Sequence, residues 1–311
     1  MAGAPRLAAV TGATGFLGRR LVPALTARGW RVRILARDPA AASFDGAAPE
    51  IVRGDLDDTA ALAALTEGCD VVVHVAGAIK ALDRAAFFAV NQAGARRLAE
   101  SMGPGRMLMV SSLAARSPEL SNYAASKRAG ETVARDILGE RLTVVRPPAI
   151  YGPGDRETLG LFKLAAAAPF LPAPDDPAAR LALAHVDDVV TQLIGRLNGE
   201  WRPETFAIGG ARPEGYGWRE IFATAATAMG RSPRLVPLPL WIISAAAAVS
   251  ETAAQLRRSP AIFNRGKARE LRHSDWSVSP AELPPEGADG CVDLATGFAR
   301  TVAWYREAGW L

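Results

Sequence analysis

The chain has 311 residues, 49% of them hydrophobic and 22% charged, with a formal net charge of +4. That length exceeds one average domain, so a large unit plus a smaller one is expected, and the composition excludes a disordered or fibrous chain. The basic residues are scattered, with no basic run interleaved with aromatics, which argues against a nucleic-acid partner. Cys69 and Cys291 lie far apart and give neither a metal spacing nor a disulfide framework. Residues 1–6 lack the apolar stretch of a leader. Leu238–Val249 is too short to cross a bilayer and is soon followed by Glu251. A cytoplasmic protein with no integral membrane segment and no metal is expected.

Leu7–Val10 is a short apolar run that predicts a buried strand, and Arg19–Arg28 has helical spacing ended by Gly29. Trp30–Ala36 and Ile51–Asp55 predict the second and third strands, with a helix over Thr59–Thr66 after them. Val71–Ala76 is apolar nearly throughout, as strands buried on both faces tend to be. A helix over Ala85–Ser101, a strand over Met107–Ser111, a helix over Tyr123–Ile137 and a strand over Leu142–Arg146 follow. Pro169–Pro177 is predicted as loop from its four prolines. Asp187 or Asp188 can cap a helix running to Leu197, and Thr205–Ile208 predicts a strand rejoining the sheet. Beyond it come a helix over Trp218–Met229, an extended Pro233–Pro239, and helices over Trp241–Leu256 and Ala295–Ala308. Strands alternating with helices predict an α/β fold, a doubly wound parallel Rossmann sheet. It is expected over 1–151, with 184–210 rejoining it. Residues 152–183 and 211–311 are expected to form a smaller, mostly helical lid that binds substrate.

Three groups of residues carry chemistry. Gly12, Gly15 and Gly18 sit between a strand and a helix, with Thr14, Phe16 and Leu17 among them. Such a turn lets backbone approach a pyrophosphate at a helix N-terminus; three glycines alone would also suit an ordinary turn. The second strand ends in Ala36-Arg37-Asp38. Arg37 can meet a 2′-phosphate bidentately, which favours NADP(H), whereas Asp38 on a ribose would mean NAD(H). Asp55 and Leu56 can flank adenine, and the small Ala76 and Gly77 leave room for a cofactor. Tyr123 and Lys127 stand one helical turn apart. With four tyrosines and four lysines in the chain, such a pair is expected by chance only about 0.05 times. A cation beside a phenol lowers its pKa toward a useful acid/base range. Ser112 ends an apolar strand, where a hydroxyl can orient a substrate carbonyl or simply cap a turn. His74 is expected to be a packed core residue, and His185 to brace a loop. The Trp241-Ile242-Ile243 run is expected to be core or the wall of an apolar pocket.

In their order, TGATGFLG from Thr11, Asp55-Leu56, His74–Gly77, Asn91, Val110-Ser111-Ser112, Tyr123-x-x-x-Lys127, Arg146–Pro153, His185–Asp188 and Phe206–Gly210 resemble the extended short-chain dehydrogenase/reductases. The resemblance covers the chain to about residue 210. It implies Ser112 as substrate-positioning residue, Tyr123 as acid/base and Lys127 as cofactor anchor. It further implies Pro147 and Ile150 near the nicotinamide, and Asn91 as a helix-bending asparagine, although core packing would also place it inside. Ala36–Pro39 is similar to the NADPH-using dihydroflavonol-reductase and 3β-hydroxysteroid-dehydrogenase branch. The expectation is therefore an NADP(H)-dependent oxidoreductase interconverting a ketone and a secondary alcohol on an apolar small molecule. The alternative is a nucleotide-sugar epimerase or dehydratase with tightly bound NAD(P), in which Arg156, Arg180 and Arg212 would serve a second pyrophosphate. A third possibility is a non-enzymatic relative that binds cofactor only for stability or assembly, against which the intact Ser112, Tyr123 and Lys127 argue. Helices over Ala85–Ser101 and Tyr123–Ile137 resemble the pair that forms dimer interfaces in relatives, so a homodimer or a monomer is expected.

Overall fold

The computed structural model describes residues 6–46, 48–167, 169–256, 264–284 and 290–311. The reading of residues 1–5 as lacking a leader lies outside the described residues. Two compact units form, Met1–Arg146 with Leu193–Phe206, and Pro147–Gln192 with Ala207–Leu311. The elements run β1 (Leu7–Thr11), α1 (Phe16–Ala27), β2 (Arg31–Ala36), β3 (Glu50–Arg53), α2 (Thr59–Thr66), β4 (Val71–His74), α3 (Arg84–Phe88), α4 (Gly94–Glu100), β5 (Arg106–Val110), α5 (Asn122–Leu138) and β6 (Leu142–Arg146). They continue β7 (Ala149–Tyr151), α6 (Leu159–Ala167), β8 (Phe170–Pro174), β9 (Arg180–Leu181), β10 (Leu183–His185), α7 (Val186–Asn198) and β11 (Thr205–Ala207). Last come α8 (Trp218–Ala228), β12 (Arg234–Leu238), α9 (Leu240–Leu256), α10 (Arg265–Arg272), β13 (Asp275–Trp276) and α11 (Leu294–Glu307).

In the first unit the strands lie in the order β3-β2-β1-β4-β5-β6-β11. Every pair from β3 to β6 is parallel. The order reverses between β1 and β4, and such a reversal is where sheets of this kind take ligands at the strand C-termini. Alternate strand residues explain the layering. Ala9, Leu35, Val72, Met107, Met109 and Val144 share one cluster with Leu62 and Leu65 of α2, Leu98 of α4 and Leu138 of α5. The intervening residues Ala8, Val10, Ile34 and Val73 are equally buried, so they face the other side. α1 buries Leu17, Leu21, Val22 and Leu25.

One predicted helix is broken. Ala85–Ser101 is not continuous: a π-turn over Ala89–Ala93 separates α3 from α4. The cause is the buried Asn91, whose side chain hydrogen-bonds outside its own helix, and wide turns of this type gather at functional sites. β4 also ends earlier than the apolar run suggests, leaving Ala76 and Gly77 in the loop beyond it.

The second unit departs further from expectation. Pro169–Pro177 is not all loop, because β8 and β12 form a parallel ribbon. Asp175 N–H donates to the Leu238 carbonyl at 3.0 Å. Odd-numbered amides of β8 therefore face the partner. Pro172 and Pro174, lacking an amide proton, sit on the outer edge where none is needed. Asp187 and Asp188 lie within the first turn of α7 instead of capping it, where carboxylates oppose the helix dipole. Trp241 is 70% exposed, so it is not core, whereas Ile243 is buried. The core is aromatic: Phe298 meets Tyr151 at 5.0 Å and Phe162 at 5.1 Å, both edge-on. Among the described residues no helix is long and apolar enough to cross a membrane.

Gly130 of α5 shows how closely the π-turn packs. A Cβ there would lie 2.3 Å from the Asn91 carbonyl oxygen. Gly→Ala in a helix ordinarily gains about 0.5–1 kcal/mol. Here overpacking against backbone costs roughly 1–3 kcal/mol, so Gly130→Ala should lower the urea midpoint, as a denaturation curve would show.

Candidate active site

The glycine turn is built to bring backbone close to a ligand. Gly12 has φ +71°, and a Cβ there would stand 2.6 Å from the Ala76 amide nitrogen. At Gly18 a Cβ would stand 2.2 Å from the Gly12 oxygen, so α1 can meet the loop only through glycine. Gly15 is different. It is exposed, with ordinary extended backbone, and its N-cap position brings no side chain to the first amides of α1. Those amides, at the positive end of the helix, fit a pyrophosphate. Thr14, Phe16 and Leu17 lie in this turn as expected. Arg19, not singled out in the sequence, donates to the carbonyls of Thr14 (3.0 Å) and Ala41 (3.0 Å), joining the turn to the loop after β2.

In that loop Arg37 is exposed and, among the described residues, makes no hydrogen bond or ion pair. The Asp38 carboxylate instead accepts the Ala40 amide at 3.0 Å and caps a short turn. Asp55 accepts the Asp57 amide at 2.9 Å. Leu56 is half-buried where α4 comes closest, since a Cβ on Gly94 would stand 2.8 Å from its Cδ1.

Ala76 to Ala78 lie at the centre. The Thr11 hydroxyl accepts the Ala76 amide at 3.3 Å and lies 2.7 Å from His74 Nδ1. Burial, with Lys127 nearby, pushes His74 down to about 3, so it stays neutral, the packed core residue expected. Asn91 donates to the Ala78 carbonyl (3.0 Å) and accepts the Ala78 amide (2.8 Å). Its other proton goes to Ser126 Oγ at 2.8 Å, and Ser126 donates to the Tyr123 carbonyl at 2.8 Å.

α5 begins at Ser121, whose hydroxyl accepts the Ala124 amide at 2.9 Å, a cap worth about 1 kcal/mol. This sets Tyr123 in the first turn, its ring 6.2 Å from Phe87. Lys127 is buried one turn later. Its ammonium donates to the Val110 carbonyl at 2.9 Å and lies beside Gly77, where a Cβ would come within 3.4 Å. Ser112, two residues beyond Val110, is half-buried and accepts the Ala114 amide at 3.2 Å, so it caps a turn in addition to any other role. Burial pushes Lys127 down to about 8, with Glu131 opposing the shift.

Glu131 was not anticipated. It is buried and accepts from Ser111 Oγ (2.5 Å), Arg146 Nε (2.9 Å) and Arg146 Nη2 (2.5 Å). Its place four residues after Lys127 was the available signal. Pro147 and Ile150 belong to the second unit, Ile150 pairing with Ala184. His185 packs edge-on against Tyr151 at 5.5 Å.

This sheet, with a ligand turn at its reversal point and a Tyr–Lys helix beside it, defines a nucleotide-dependent enzyme. The chain belongs to the NAD dependent epimerase/dehydratase family, the extended short-chain dehydrogenase/reductases, whose model matches residues 8–209. It is 48% identical to the ceramide reductase of Caulobacter vibrioides, over 97% of this chain and 95% of that one. It is 30% identical to sterol demethylase protein B of Methylococcus capsulatus, over 96% and 98%. The fold matches UDP-glucose 4-epimerase of Thermus thermophilus in complex with NAD (TM-score 0.70, 23% identity, 97% and 99% covered). It equally matches the dTDP-glucose 4,6-dehydratase DesIV of Streptomyces venezuelae (TM-score 0.71, 23%, 98% of each).

Lys127 is cationic below about pH 8 and neutral above it. Its folded pKa lies below the unfolded 10.5, so its burial opposes folding below pH 8, and stability rises between the two values. The cofactor anchoring that the resemblance implies for Lys127 should weaken as pH rises through about 8, as the fluorescence of a bound reduced nicotinamide cofactor would show. In Glu131→Gln, which removes the opposing charge, this limb should move to lower pH; an unmoved limb would show that Glu131 does not tune Lys127.

Proposed function

We propose that this chain is an NADPH-dependent reductase converting a ketone on a long-chain lipid of the ceramide type into a secondary alcohol. The observation that carries this reading is the nearly full-length match to a ceramide reductase. The nicotinamide, when bound, supplies the hydride. Ser112 donates a hydrogen bond to the carbonyl oxygen and orients it. Tyr123 gives that oxygen its phenolic proton, and solvent later restores it. The Lys127 ammonium, fixed on the Val110 carbonyl, lowers the cost of the tyrosinate and holds the ribose hydroxyls. Asn91 keeps α5 and the Ala76–Ala78 stretch in register for this transfer. The resemblance implies Pro147 and Ile150 beside the ring. The reverse oxidation uses the same groups.

The preference for NADP(H) rests on the loop after β2. Arg37 is available for a 2′-phosphate, whereas the Asp38 carboxylate is occupied as a cap. The epimerase alternative loses support from its own candidates. Arg212 is held by both oxygens of Glu220 and lies over Tyr216, and Arg180 donates to the carbonyls of Pro177 and Ala179. Arg156 lies over Trp310.

Tyr123→Phe should lower turnover at least a thousandfold while NADPH affinity stays within about threefold. Absorbance at 340 nm with a long-chain keto-amide would read it, and wild-type turnover in the variant would remove Tyr123 from the chemistry. Arg37→Ala should weaken NADPH about tenfold to a hundredfold and NADH little, since a charge-assisted pair contributes roughly 1.5–3 kcal/mol. Equal losses for both cofactors would place the 2′-phosphate elsewhere.

A further inference from the structure

α9 carries a surface that neither the fold nor the proposed reaction uses. Its sequence, LWIISAAAAVSETAAQL, has one charged residue, Glu251. Ile243 and Ala247 turn inward to a cluster with Ala268 and Leu271 of α10. Roughly half a helical turn away lie Trp241, Ala245, Val249 and Thr252, recurring at about 3.6 residues on one stripe. Trp241 is 70% and Val249 71% exposed. The Thr252 hydroxyl donates to the Ala248 carbonyl within the helix at 2.9 Å, so this face offers solvent no strong polar group.

α10 supplies the border. It carries three arginines and one lysine against Glu270, and Lys267 pairs with that acid at 3.2 Å. Arg265, Arg269 and Arg272 share the other side of the helix, all exposed. Arg265 lies 3.9 Å from Glu251, and Arg272 donates to Ser244 Oγ at 3.2 Å. Glu251 and Ser244 flank the apolar stripe of α9, so the arginine row runs along its edge.

We infer that α9 and α10 together dock this protein on an anionic phospholipid surface, with Trp241 and Val249 entering the headgroup boundary and the arginine row meeting lipid phosphates. An apolar face rimmed by cations has the profile of such a surface, and tryptophan suits its boundary. The inference does not rest on the lipid reductase reading, because docking needs neither substrate nor cofactor.

The test is flotation of the full chain with vesicles of phosphatidylcholine, with and without phosphatidylglycerol. The chain should float with the anionic vesicles and lose binding at high salt. Trp241→Asp/Val249→Asp should cut the bound fraction about tenfold. Arg269→Glu/Arg272→Glu should remove the preference for phosphatidylglycerol. Unaltered NADPH binding in both variants shows that they are folded. No flotation, or flotation unchanged in the first variant, overturns the inference. So does a dimer in sedimentation velocity that the first variant dissociates, since a second copy would then cover the face. Turnover on a soluble short-chain ketone tests the reductase reading apart from this.

Discussion

Asn91 closes a ring of two hydrogen bonds with the backbone of Ala78, and the rest of the site is positioned from there. The side chain can do so only because its helix widens by one residue, turning the amide toward the end of β4. The third hydrogen bond, to Ser126, reaches the first turn of α5. One buried side chain thus fixes the distance between the loop after β4 and the helix that carries Tyr123 and Lys127. From the opposite side, Thr11 holds the Ala76 amide and Gly12 packs against the same residue. The glycine turn and the helix of Tyr123 and Lys127 are referred to one short stretch of backbone, fastened at both ends.

Electrostatics follow from that packing. A lysine with its ammonium buried is costly unless it is hydrogen-bonded and compensated. Lys127 has the Val110 carbonyl and, farther off, the Glu131 carboxylate, whose own charge is held by Arg146 in two hydrogen bonds. Neutral His74 completes the surroundings without adding a competing cation. Burial therefore brings the ammonium down to about 8, within reach of physiological pH.

Much of this was legible in the sequence. The helix over Thr59–Thr66 and the strand over Leu142–Arg146 coincide with expectation, since periodicity and end signals agree there. The glycine turn was readable because spacing and context coincide. Glu131 was not, because a glutamate four residues beyond a lysine on a helix is indistinguishable from an exposed pair until burial is known. Thr11 was legible as the start of the glycine motif, but its hold on the Ala76 amide was not, because that partner lies 65 residues away. The ribbon of β8 and β12 was obscured by prolines, and α10 by its lack of an apolar stripe, since Ala268 and the partly buried Leu271 are its apolar contacts beside the buried Glu270.

The spacing of those prolines has a consequence of its own. A two-stranded ribbon has two open margins, each able to recruit a foreign strand. On β8 the outward amides would be those of the even-numbered residues, and Pro172 and Pro174 remove two of them. On β12 the same alternation puts Pro237 on the outward side. Imino acids thus leave gaps in the donor row along each margin while the inner ladder stays intact. The ribbon can close on itself and cannot readily be extended, a built-in safeguard against intermolecular β-sheet growth at high protein concentration.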